Sequence, residues 1–187
     1  MLNLVCEYKQ ECGVGIYMIK TEMFTRLSER KISFFDERGS ITILYESNEV
    51  VLKKSNSKKG VFRGMHRQVA PALQEKLIRV ISGRILDFVT DPDDEKQVIW
   101  CDEIDESDGW VHIGSQLAHG FFALDDVEFE YFCDGAYRED LEECYRVELV
   151  LKRDLGIDNI ILSQKDLDGR SFGKCVKFYN RNNGETF

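Results

Sequence analysis

Between residues 60 and 89 stand four side chains whose types and spacing suit proton chemistry: Arg63, His66, Lys76 and Asp87. An imidazole titrates near neutrality, so His66 can take a proton from carbon or oxygen. An ammonium among apolar neighbours, as at Lys76, can stabilise the negative oxygen that such a deprotonation leaves. Arg63 offers a planar fork that matches phosphate or carboxylate. Alternation along a strand tells where these groups point. Lys76 shares a face with Ile78 and Val80, and Asp87 shares one with Ile85 and Val89. A charge on an apolar face is costly unless it is paired or borders a wet cavity. Residues 73–81 and 84–89 therefore read as one wall of a barrel that encloses a site. Ser82-Gly83 between them reads as the tight turn of a β-hairpin. In residues 128–133, Phe129, Tyr131 and Cys133 fall on the inward face, which aims the Tyr131 hydroxyl at the interior holding Lys76. Arg63 and His66 have opposite parity. Both reach one cavity only if the strand is distorted, and Gly64 between them is the natural place for a bulge.

The elements that must position these groups are short. Residues 14–20, 41–46, 50–54, 61–68, 73–81, 84–90, 98–104, 110–113, 120–124 and 128–133 read as strands separated by polar turns. Such a series predicts an all-β sandwich or barrel. Residues 24–32 read as a short helix, and residues 139–155 with the region after Ser163 carry one or two more. There are 2 prolines in 187 residues, and no linker, repeat or low-complexity tract. One domain is expected, with residues 1–33 partly an N-terminal extension.

Composition narrows the function classes. The net charge is −9, yet basic residues gather between Lys53 and Arg84, where Glu75 is the only acid. An acidic protein with one basic segment lacks the broad positive face that nucleic acid needs, and suits a small anion such as a diphosphate. Lys53–Lys59 also reads as a plain solvated loop. No apolar run approaches the ~20 residues of a membrane span. The N-terminus shows no basic region followed by an apolar core, so a cytoplasmic protein is expected. Six cysteines (Cys6, Cys12, Cys101, Cys133, Cys144, Cys175) include no C-x-x-C pair, and read as free thiols rather than zinc ligands. His66 has no His or acid two or four positions away, and no metal is expected.

In their order these residues resemble a known family. The pieces are Asp36-Glu37-Arg38-Gly39, GVFRGMHRQ at 60–68, Gln74 with KLIRV at 76–80, Gly83 with Asp87, AHGF at 118–121, Phe129 with Tyr131, and LSQKD at 162–166. They follow the dTDP-4-dehydrorhamnose 3,5-epimerase family of cupin-fold sugar-nucleotide epimerases in order and approximate spacing. The resemblance implies a cupin-type jelly roll with a few short peripheral helices. It implies inversion at carbon 3 and/or carbon 5 of a nucleoside-diphosphate 4-keto-6-deoxy sugar, without a cofactor, by a homodimer. It further implies that His66 is the base, Asp166 the carboxylate orienting it, Tyr131 the acid on the opposite ring face, and Lys76 the cation beside the keto oxygen. His119 and Asp87 match a second His and Asp in the pocket. Arg63 and Arg38 match substrate-binding arginines, and Gln74, Tyr137 and Lys165 further residues of the cleft.

The chemistry supplies its own reasons for these types. A ketone at carbon 4 acidifies the hydrogens on carbons 3 and 5. A histidine oriented by a carboxylate can remove one, a lysine can hold the enolate, and inversion needs a second acid on the other face. Blander roles stand beside each: a core histidine at 66, a packed tyrosine at 131, a helix cap at 166, a structural partner of Asp87 at 119, and no role for His112. The segments that differ from the family are Ser40–Ile43, Val51–Lys54 and His112–Gly114, which leaves the nucleotide open. A sugar-nucleotide ketoisomerase, and a sugar-nucleotide-binding cupin without turnover, remain alternatives.

Overall fold

The computed structural model describes residues 32–179, which the expected polar breaks divide into strands and two short helices. The strands are β1 (Ile32–Asp36), β2 (Gly39–Glu46), β3 (Val50–Ser57), β4 (Phe62–Gln68), β5 (Lys76–Ser82), β6 (Arg84–Thr90) and β7 (Val98–Asp105). There follow β8 (Val111–Ile113), β9 (Ala118–Ala123), β10 (Val127–Asp134), β11 (Glu142–Arg146), helices α1 (Glu148–Leu155) and α2 (Gln164–Leu167), and strands β12 (Arg170–Ser171) and β13 (Cys175–Phe178). They form two sheets, ordered β1-β2-β3-β10-β5-β8 and β12-β11-β4-β9-β6-β7-β13. Neighbours in these lists are mostly far apart in sequence, which is the jelly-roll pattern. The expected strand 14–20 and nearly all of the expected helix 24–32 lie outside the described residues, except that Ile32 opens β1.

Alternation sets what lies between the sheets. Ile78 and Val80 of β5, Ile85 of β6, Phe121 of β9 and Phe129 of β10 are buried in one cluster, and the Phe121 and Phe129 rings stand 4.6 Å apart. The opposite face of the seven-stranded sheet carries a second cluster, in which Phe62, Met65 and Phe88 meet Tyr145, Val150, Leu151 and Phe172.

Three expectations are corrected. Ser82-Gly83 does not close a hairpin, because β5 and β6 belong to different sheets. Gly83, at φ +84°, carries the chain around the corner, and a Cβ there would lie 2.5 Å from the Asp126 carbonyl oxygen. The facing residues survive the change: Lys76, Ile78 and Val80 look across the interior at the β6 face instead of flanking it. Residues 73–75 are not strand, since β5 begins at Lys76 and Leu73 is exposed. Lys53 belongs to no loop, because β3 runs on to Ser57.

The anticipated distortion of β4 is present. Arg63 pairs with Phe121 and His66 with His119, so three steps on β4 match two on β9. Gly64, at φ +109°, occupies the irregularity, and a Cβ on it would meet Gly120 Cα and the His119 carbonyl oxygen at 2.6 Å. Only glycine fits there. The extra residue turns Arg63 and His66 to one side while Met65 enters the second cluster.

Candidate active site

Each sheet contributes one half of the site. From the seven-stranded sheet, His66 projects with its side chain 27% exposed, and its Nε2 donates to Asp166 Oδ1 at 2.7 Å. Asp166 is fixed from behind. It stands in the first turn of α2, where Ser163 caps the helix and donates from Oγ to Asp166 Oδ2 at 2.6 Å. The helix cap and the partner of His66 are thus one carboxylate. Arg38, at the tip of the β1–β2 hairpin, donates from Nη1 to Asp166 Oδ2 at 3.3 Å, and from Nη2 to Asp36 at 2.7 Å. The other imidazole nitrogen, Nδ1, lies 3.5 Å from Glu142 Oε1.

From the six-stranded sheet come Lys76 and Tyr131. They stand on neighbouring strands, with Tyr131 opposite Ile78 and Cys133 opposite Lys76, so both face the interior. Lys76 Nζ spans the gap and donates to the main-chain carbonyl of His66 at 3.2 Å. Glu142 acts electrostatically on His66, Lys76 and Tyr131 alike, and Arg63 acts on Tyr131. Lys76 thus reaches the strand of His66 from the facing sheet, and Tyr131 looks into the same interior.

Their protonation follows from these surroundings. Burial disfavours a charged His66, but Asp166, Cys144 and Glu142 outweigh it and raise its pKa to about 9. Burial lowers the pKa of the Lys76 ammonium, against the opposing pull of Cys133 and Glu142, and burial raises that of the Tyr131 phenol. Asp166 and Glu142 both lie below the usual carboxylate range. Burial opposes the charge on each, and the hydrogen bond from His66 to Asp166 and the charge of His66 on Glu142 overcome it. Arg63 donates from Nε to Ser57 Oγ at 2.8 Å, while its Nη2 is buried without a hydrogen-bond partner among the described residues. A guanidinium with a spare buried donor is prepared for an anion.

The remaining expected residues divide. Tyr137 donates its hydroxyl to Glu142 Oε2 at 2.8 Å and accepts from Lys165 Nζ at 3.0 Å, and Lys165 also pairs with Glu142. This trio borders the imidazole. His119 and Asp87 form a buried pair with Nε2 to Oδ1 at 2.7 Å, and His119 lies directly across from His66 in the ladder. Gln74 is buried and spends its amide on the Gly135 carbonyl at 2.9 Å, which ties down the approach to β5. His112 pairs with Glu75 at the surface, 3.1 Å away.

Two residues of the cleft escaped sequence reasoning. Glu142 sat in an acidic tract with no visible pattern, and recognising β11 would have put it on the face of Cys144. Lys53 holds its ammonium 5.7 Å from the Tyr131 ring centre and 5.2 Å from that of Tyr137. Among the described residues His66, Glu142 and Cys144 also bring one ligand atom each within 4.8 Å of one another. A separate groove of about 510 Å³ is lined by Asp36, Ser40, Asn56, Ser57 and Lys58 among others, and holds none of His66, Lys76, Tyr131 or Asp166.

The sequence profile of dTDP-4-dehydrorhamnose 3,5-epimerase matches residues 15–174. The chain belongs to that family. A dTDP-4-dehydrorhamnose 3,5-epimerase of Shigella flexneri is 30% identical over 174 residues, covering 83% of this chain and 95% of the relative. The crystal structure of the Sulfolobus tokodaii dTDP-4-dehydrorhamnose 3,5-epimerase superposes with a TM-score of 0.58 at 32% identity, over 74% of this chain and 85% of that one. A Legionella pneumophila dTDP-6-deoxy-D-glucose-3,5-epimerase, solved in complex with dTDP-4-keto-L-rhamnose, gives 0.56 at 25% identity, over 75% and 84%. The epimerase described here is accordingly an isomerase with the cupin-type jelly roll that its motifs implied.

Proposed function

We propose that this epimerase inverts carbon 3, carbon 5 or both in a nucleoside-diphosphate 4-keto-6-deoxy sugar, by deprotonation and reprotonation through an enolate. The carrying observation is the imidazole held on Nε2 by a buried carboxylate, with a buried ammonium bonded to the same residue's carbonyl. His66 Nδ1 takes the proton next to the ketone. Lys76 stabilises the enolate oxygen in a low-dielectric interior. Tyr131, from the opposite sheet, returns a proton to the other face. Arg63, with its unpartnered donor, takes the diphosphate. Tyr137 and Lys165 border the nucleotide, and Arg38 steadies Asp166. None of these steps calls on a cofactor.

The assay is incubation with 4-keto-6-deoxy sugar nucleotides in deuterium oxide. Deuterium entering carbon 3 or 5 with the ketone left at carbon 4 supports the reading. Migration of the carbonyl assigns the protein to the ketoisomerases, and no exchange with any such sugar assigns it to non-catalytic binding. His66→Ala lowers exchange about 10²–10⁴-fold, the span of a general base, while nucleoside diphosphate still raises the melting point. Retained exchange would remove His66 as the base.

A single domain working as a cytoplasmic homodimer completes the proposal. The homodimer is supported by β1, an edge strand among the described residues, where Ile32, Phe34 and Phe35 are 54%, 60% and 79% exposed. Apolar side chains gathered on an open edge are a liability unless a second surface covers them. Among the described residues no helix is long and apolar enough to cross a membrane.

A further inference from the structure

We propose that the cleft also holds a metal-ion site, formed by His66, Glu142 and Cys144, for a borderline-soft divalent cation such as zinc, whose occupation reversibly silences the base. The site rests on the geometry alone. Only its consequence, inhibition, rests on the epimerase reading.

The ligands come from two hydrogen-bonded strands. His66 on β4 lies directly across from Cys144 on β11, and Glu142 is two residues back along β11, hence on the same face. One ring nitrogen, one carboxylate oxygen and the sulfur all lie within 4.8 Å of one another. His66 Nδ1 and Glu142 Oε1 are 3.5 Å apart. A tetrahedral ion with bonds of about 2.0–2.3 Å separates its ligands by roughly 3.3–3.6 Å, so the pair already stands at that spacing. Imidazole, carboxylate and thiolate make a donor set that zinc accepts and that magnesium or calcium does not favour.

The outer partners fit as well. Asp166 accepts from Nε2 at 2.7 Å, which in the neutral imidazole leaves the lone pair on Nδ1, facing the other two ligands. A carboxylate behind a ligating histidine is the usual support of such sites. Lys165 and Tyr137 occupy Oε2 of Glu142 and leave Oε1 to the ion. Three protein ligands leave a fourth position toward the cleft, through which an ion can enter and leave. An imidazole whose lone pair is on a metal cannot accept a proton from carbon. Cys144 takes no proton in the epimerisation but stands beside the base, so each variant's zinc sensitivity is read against its own zinc-free exchange rate.

The test uses chelator-treated protein and cobalt, whose bond to a thiolate gives a charge-transfer absorption. Cobalt added to the wild type without substrate should give that band at one ion per chain, and Cys144→Ser and Cys144→Ala should not. Zinc should stop deuterium exchange in the wild type, a chelator should restore it, and Cys144→Ser should need at least about tenfold more zinc, the least that disturbing a metal site costs. No band at millimolar cobalt, or equal zinc sensitivity in wild type and variants, overturns the proposal. Exchange without the band sinks the metal site and leaves the epimerase intact. The band in a protein that exchanges nothing does the reverse.

Discussion

Replacing Asp166 by Asn keeps the side chain's shape and removes the charge that faces His66 at 2.7 Å. The pKa of His66 stands at about 9 against an ordinary 6.5. That gap of about 2.5 pH units corresponds to about 3 kcal/mol of preference for the imidazolium. It is the net of burial, which disfavours the charge, and of Asp166, Cys144 and Glu142, which together outweigh it, so it does not belong to Asp166 alone. An opposite charge at this distance typically accounts for about one to three pH units. In the wild type roughly one site in a hundred holds a neutral imidazole at pH 7. The rate of deuterium exchange at low substrate should therefore climb with pH and level off above about 9. In Asp166→Asn the rising limb moves down by about one to three pH units, while the plateau falls because the imidazole is a weaker and less firmly held base. Exchange rates from pH 6 to 10 measure both. Stability must follow with a definite sign. A histidine whose folded pKa lies above its unfolded one stabilises fully below about pH 6.5, and that contribution disappears as pH rises through about 9. The melting point of the wild type should thus fall relative to the variant across that interval. A wild-type limb near 6.5, or one that Asp166→Asn leaves in place, refutes the pairing as the source of the base's strength.

Three further outcomes follow from the same geometry. Lys76→Met should cut exchange about 10²–10³-fold, as loss of an oxyanion partner does, with nucleoside-diphosphate stabilisation unchanged; exchange at the wild-type rate removes Lys76 from the enolate. Tyr131→Phe should leave exchange at the carbon deprotonated by His66 but slow formation of the inverted product about 10²–10⁴-fold, read by proton spectroscopy of the sugar; unchanged product and rate assign the second proton elsewhere. Gly64→Ala must push a methyl group against Gly120 and His119 at a positive φ, so its melting point should drop by the equivalent of at least about 1–3 kcal/mol. A variant as stable and active as the wild type would show that the strand distortion is dispensable.

Much of the site was legible because strands write their faces into parity. Lys76, Tyr131 and Asp87 were placed inward by alternation alone, and the clash of parity between Arg63 and His66 located the irregularity at Gly64. The sheet partners were not legible. Ser82-Gly83 carries every local sign of a hairpin, yet which strand a segment pairs with is decided by long-range packing, and here the turn serves as a corner. Lys53 looked like one of several loop lysines, because the polar run Lys53–Lys59 hides that β3 continues to Ser57. Glu142 stayed hidden for a related reason. The acidic run Glu139–Glu143 has no apolar alternation, and its strand is defined by pairing with β4 on one side and β12 on the other. The two roles of Asp166 could not be separated by sequence because they are carried by one group: the same carboxylate closes the cap of α2 and holds the imidazole.

The bond from Lys76 to the carbonyl of His66 joins one sheet to the other. The reach between ammonium and imidazole is therefore gauged by whatever keeps the sheets apart, namely Ile78, Phe121 and Phe129. These residues carry neither charge nor proton, yet they act as spacers for the chemistry. Shaving Phe129 to a smaller side chain would let the walls settle inward and detune turnover even where the molecule stays folded.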